Sequence, residues 1–165
     1  MKKFFLFIGK IIIVLLLSAF VLDFIYTKVL AQSDSRNKVE NIINSKPQNY
    51  DVIILGTSRA NNHFASELFE KKGLKTFNYG MSGAHLFETS LLLKLMIERN
   101  WKIKNIIIET DLNLSNEKRD DGTFGRFMPF MHQSKIISDH FKNELDFTEL
   151  YYVPFYRYIQ FDAKV

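Results

Sequence analysis

The run Asp51-Val52-Ile53-Ile54-Leu55-Gly56-Thr57-Ser58 decides the fold. Four consecutive aliphatic side chains, three of them β-branched, leave no polar side for water. Such a run suits a strand buried on both faces, as strands of parallel sheets are, and Gly56 ends it. Working outward, Ser66 to Lys72 reads as a helix with Gly73 in the position just past its end. Lys75 to Asn78 is a second short strand, closed by Gly80 and Gly83. Leu86 to Arg99 is the strongest helix of this region, with a stripe of Leu86, Leu92, Leu93 and Met96 and an acidic Glu88 near its start. Asn105 to Glu109 is a third apolar strand. Strand, helix, strand, helix, strand predicts an α/β fold: right-handed crossovers and a parallel sheet with helices on both faces.

Past Leu114 this pattern stops. Ser115 to Arg126 is a charged, glycine-containing surface loop, Gln133 to Lys142 a helix, and Leu145 to Phe161 an aromatic stretch interrupted by Pro154. Three strands make a narrow sheet whose outer faces are left under-covered.

The chain of 165 residues carries 22 Lys and Arg against 18 Asp and Glu, a formal charge of +4. Four of those cations (Lys2, Lys3, Lys10, Lys28) and one anion (Asp23) fall in the first 30 residues, so the remainder holds 18 basic and 17 acidic groups. The basic character belongs to the N-terminus and does not describe a nucleic-acid-binding face. With no Cys there is no disulfide, thiolate metal site or thiol nucleophile. Phe4 to Leu22 is apolar except for Gly9, Lys10 and Ser18, close to the roughly 20 residues a membrane span needs. The positive charge precedes it, which predicts a cytoplasmic N-terminus and an extracytoplasmic body, periplasmic or at the cell surface. A signal peptide cleaved near Val29-Leu30-Ala31 is the competing reading; Asp23 and Lys28, lying between the apolar core and that site, favour a retained anchor. The expected organisation is a cytoplasmic stub and membrane anchor at 1–28, a polar tether at 29–49 with a short helix at Arg36–Asn44, and an α/β domain at 50–165.

In parallel α/β sheets the working residues lie just beyond the carboxyl ends of the strands. The three ends here hold Gly56-Thr57-Ser58-Arg59, then Asn78-Tyr79-Gly80-Met81-Ser82-Gly83, then Asp111-Leu112-Asn113. A serine between a strand end and a helix gains backbone N–H groups beside its hydroxyl, although the same position also suits a helix cap. A glycine in the second loop allows close backbone approach, and an asparagine amide at the third end is a further donor. Together these are the elements of an oxyanion hole. Arg59 and Asn78 are candidates for substrate binding. No His, Asp or Glu stand at metal-ligand spacing, so neither a metal nor another cofactor is expected. Gly-Thr-Ser lacks the second glycine and Lys-Ser/Thr of a nucleotide-binding loop.

The segments IILGTSRA (53–60), FNYGMSGAH (77–85) and NIIIETDLN (105–113) resemble the SGNH/GDSL hydrolase superfamily, and within it the membrane-anchored, cell-envelope branch. The resemblance covers about residues 50 to 114. It implies a three-layer αβα, flavodoxin-like domain. It also implies Ser58 as nucleophile, Gly83 as an oxyanion donor with Gly80 as the alternative, and Asn113 as the third donor. The implied activity is ester hydrolysis or acyl transfer on envelope polysaccharide or lipid. Thr57 stands where the family usually carries Asp, Asn113 lacks its preceding Gly, and the family's closing Asp-x-x-His is absent. None of His63, His85, His132 or His140 has an Asp three residues before it. The chain is therefore expected to be the N-terminal part of a longer hydrolase-like protein, inactive by itself for want of a base. The alternative is a non-catalytic, membrane-tethered α/β binding module with the aromatic Tyr151–Phe161 region as its contact surface.

Overall fold

The computed structural model of the chain describes residues 2–32, 37–110 and 116–159. It divides into two compact units, one of residues 34–127 and one of residues 1–33 with 128–165.

The 34–127 unit is built on a sheet of three parallel strands, β1 (Asn49–Leu55), β2 (Thr76–Asn78) and β3 (Lys102–Ile108), in the order β2-β1-β3. Val52 and Ile54 of β1 stand opposite Thr76 and Asn78, and Leu55 stands opposite Ile108. The central strand is closed on both faces, as its uninterrupted apolar run requires: Val52, Ile53, Ile54 and Leu55 are all buried. Val52 and Ile54 pack with Ala60, Phe64, Phe69 and Ile107, while Ile53 and Leu55 point to the other side. At the sheet's edge, β3 leaves Ile106 and Ile108 exposed. β3 begins three residues earlier than its apolar run, because Lys102 and Ile103 pair with Asn49 and Tyr50.

Helices α2 (Asn37–Asn44), α3 (Ser58–His63), α4 (Ser66–Glu70) and α5 (Leu86–Glu98) complete this unit. α2 lies in the stretch read as a polar tether, yet Val39, Ile42 and Ile43 are buried and α2 packs on α5. Their i, i+3, i+4 spacing is a short apolar stripe that the polar composition around it conceals. The buried face of α5 is Leu91, Leu92, Leu95 and Met96, whereas Leu86 is exposed and Leu93 half-buried. The charged loop after β3 is bound to the start of α5. Glu88 is fully buried and accepts the His85 and Asp120 backbone N–H groups at 2.9 and 2.8 Å, and Leu86 N–H donates to Asn116 O at 3.3 Å. Burial pushes the Glu88 carboxyl above its ordinary pKa, and those two donors oppose the shift.

The other unit holds α1 (Lys2–Ala31), a helix of 30 residues with none buried, long and apolar enough to cross a membrane. It also holds α6 (Lys135–Phe141), α7 (Phe147–Tyr152) and α8 (Tyr156–Ile159). Ser134 caps α6 by accepting the Ile137 N–H. The turn Met128–Phe130 packs against α1, and α7 against α8.

Candidate active site at the carboxyl ends of the strands

The loop leaving β1 is fixed before any helix begins. Gly56 takes φ +140°, and a Cβ there would lie 2.9 Å from Glu109 Cβ and 3.0 Å from Ala60 Cβ, so only glycine fits the turn. Thr57, buried, is the N-cap of α3: its Oγ1 accepts the Arg59 N–H at 3.3 Å. The same hydroxyl donates to Glu109 Oε2 at 2.8 Å, and the Thr57 N–H reaches that oxygen at 3.1 Å. One carboxylate at the carboxyl end of β3 thereby pins the β1 exit.

Ser58 is the first residue of α3 and is half-buried. Thr57 performs the capping that Ser58 was also suited to, and Ser58 Oγ has no hydrogen bond to the described residues. Arg59, next along α3, is exposed.

The loop after β2 runs beside this turn. Tyr79 N–H donates to Ile54 O at 2.8 Å and Met81 N–H to Gly56 O at 2.9 Å. Gly80 sits against α3 so closely that a Cβ would fall 2.6 Å from Asn61 N and 2.7 Å from Ala60 Cβ. Its N–H is occupied by Asn78 Oδ1 at 2.8 Å, which removes it as a donor to a ligand. Asn78 also donates both amide hydrogens to backbone, to Ala60 O at 2.7 Å and Phe64 O at 2.8 Å. Its side chain is spent on holding the end of α3, so it positions the loop and has no donor left for a substrate. Gly83 occupies the turn Met81–Ala84, closed by Ala84 N–H to Met81 O at 3.0 Å, with φ +83°. The Ser82 and Gly83 N–H groups have no partner among the described residues. Asn113 lies outside the described residues.

One cation borders the Gly80 loop, and the sequence does not single it out. Lys38 Nζ, on α2, donates to Gly80 O and, at 2.5 Å, to Asn61 Oδ1. Burial, with the Arg126 guanidinium adding like charge, lowers its pKa to about 8. Arg126 is itself lowered by burial, and Asp120 opposes that shift. Glu109 was legible as an acidic residue ending an apolar strand; Lys38 sat in a stretch whose composition suggested only solvent.

His63 is exposed at the end of α3, and His85 Nδ1 is bonded to Lys118 O at 2.9 Å. His132 and His140 belong to the other unit. Among the described residues no group of three His, Asp or Glu could hold a metal ion. A groove of about 450 Å³ lined by Asp51, Lys75, Lys102 and Lys104 opens at the amino ends of the strands, away from Ser58.

Comparison of the chain with protein-family models, with curated proteins and with solved structures returns no match.

Proposed function

We propose that residues 50–114 form the nucleophile-bearing part of an SGNH-type serine esterase or acyltransferase with a three-layer αβα domain. α1 would anchor it in a membrane with its body extracytoplasmic, and its substrates would be ester groups of envelope polysaccharide or lipid. One observation carries this reading. A serine hydroxyl released from capping by Thr57 stands at the carboxyl end of the central parallel strand, beside a glycine loop tied to that strand's exit. In the proposed reaction Ser58 Oγ attacks the acyl carbonyl and its proton passes to a histidine base from outside this chain. The alcohol leaves and the acyl group remains on Ser58. Water or a second alcohol then accepts it. The Ser58 and Gly83 N–H groups would hold the oxyanion, a role worth several kcal/mol at such transition states.

The test is labelling of the full-length protein in native membranes with a fluorophosphonate probe. Labelling lost in Ser58→Ala and kept in Ser82→Ala supports the proposal. Labelling that survives Ser58→Ala, or no labelling of the wild type, refutes it. The second outcome favours a non-catalytic tethered module, a reading supported by Ser58 having no histidine partner among the described residues.

A further inference from the structure

We propose that the segment from Tyr152 to Ile159 lies in the headgroup layer of the membrane that α1 crosses, with Tyr152, Val153 and Ile159 facing lipid. The inference rests on α1 being a membrane span and is independent of any activity at Ser58. The apolar run Phe4–Leu22 is about 28 Å long at 1.5 Å per residue, close to the roughly 30 Å of a hydrocarbon core. Asp23 follows immediately, and Asp23, Tyr26 and Thr27 share one face of the next turns of α1.

That face grips the C-terminal segment. Asp23 Oδ2 accepts the Phe155 N–H at 2.9 Å, and Asp23 Oδ1 accepts Arg157 Nη2 at 2.5 Å. Thr27 Oγ1 receives a second contact from Arg157 Nη2 at 3.1 Å and shares a 2.6 Å hydrogen bond with the Tyr158 hydroxyl. The Tyr26 ring meets Phe155 edge-on at 4.9 Å and Tyr158 at 5.7 Å. Arg157 is 2% exposed.

These bonds hold residues 155–158 at the depth of residues 23–27, within about 8 Å of the end of the apolar run. The headgroup layer on each side of a bilayer is roughly 5–8 Å thick. The docked segment exposes 71% of Tyr152, 46% of Val153 and 58% of Ile159. Aromatic and aliphatic surface at this depth meets the interfacial zone where Tyr and Trp concentrate in membrane proteins. Lipid is named as the occupant because α1 itself brings the bilayer to this level.

The absence of cysteine makes the test clean. Single Tyr152→Cys and Ile159→Cys variants of the full chain, spin-labelled in phosphatidylcholine liposomes, are compared for collision with oxygen and with a water-soluble nickel chelate. Leu15→Cys and Val29→Cys serve as depth marks on α1. The expected result is a depth for positions 152 and 159 between those two marks. Water-like accessibility at 152 and 159, equal to that at Val29, with Leu15 in hydrocarbon, overturns this inference and leaves the anchor intact. Water-like accessibility at Leu15 overturns the anchor and this inference together.

Discussion

Glu109 offers the sharpest energetic test of how the site is assembled. Its carboxylate accepts two hydrogen bonds from Thr57, one from N–H and one from Oγ1, and Thr57 is 2% exposed. Glu109→Ala leaves both Thr57 donors without their acceptor. Hydrogen bonds to a charged group contribute about 1.5–3 kcal/mol each, so the loss should be on the order of 3 kcal/mol. Glu109→Gln keeps one acceptor oxygen where Oε2 stood and loses the charge, for a cost of about 1 kcal/mol. The assay is thermal unfolding in detergent followed by Trp101, the chain's single tryptophan, which is buried in the same unit. For a unit of this size each kcal/mol moves Tm by roughly 4–8 °C, so Glu109→Ala should lower it by at least about 12 °C. Exposed Glu98→Ala should change it by less than about 2 °C. If Glu109→Ala unfolds within about 3 °C of the wild type, the carboxylate does not pin the β1 exit.

Gly80→Ala should cost about 1–3 kcal/mol in the same assay, because its Cβ would fall 2.6 Å from a backbone nitrogen. Gly73→Ala, at φ +77° in open space, should cost only about 1 kcal/mol, and a loss at Gly80 smaller than that at Gly73 would contradict the packing of the loop on α3. The lowered Lys38 pKa predicts that stability rises between pH 8 and 10.5. In that window the folded chain has released the proton and the unfolded chain still holds it. The wild type should therefore gain on Lys38→Met between pH 7.5 and 9.5, and parallel profiles would count against the shift. In the other unit, Asp23→Ala strands Arg157, whose Nε and Nη1 are buried with no hydrogen-bond partner among the described residues. That single change should cost about 3–5 kcal/mol, and Asp23→Ala with Arg157→Met should cost less than the two singles summed. Limited proteolysis of residues 128–159 reads this out, and additive effects would refute the coupling.

The parts of the fold that sequence reasoning reached are those with local causes. β1 is visible because a strand buried on both faces must be apolar without interruption. The Ile106–Ile108 run marks β3 through its β-branched residues, yet Ile106 and Ile108 are exposed at the sheet edge, and Lys102 belongs to the strand through pairing with β1 alone. α3, Ser-Arg-Ala-Asn-Asn-His, has no apolar stripe; the Thr57 cap holds its start and Asn78, 14 residues past Phe64, holds its end. Asn78 shows the limit of reasoning from position: it stands at a strand end, where ligand-binding residues cluster, yet both of its amide hydrogens serve the backbone. α1 continues nine residues past the apolar run to Ala31, and Asp23, which reads locally as the end of a span, finds its partner at Arg157, 134 residues away. Contacts of such separation leave no trace in periodicity or composition.

A nucleophile at position 58 requires residue 58 to face outward from the strand ends while residue 57 faces in. A thiol placed at each position reports this directly, because the chain has no other cysteine. Ser58→Cys and Thr57→Cys are each treated with iodoacetamide under native conditions and again after unfolding. The prediction is alkylation of Cys at position 58 in the folded protein and protection at position 57 until the chain unfolds. Protection at 58, or equal native reactivity at both positions, would contradict it.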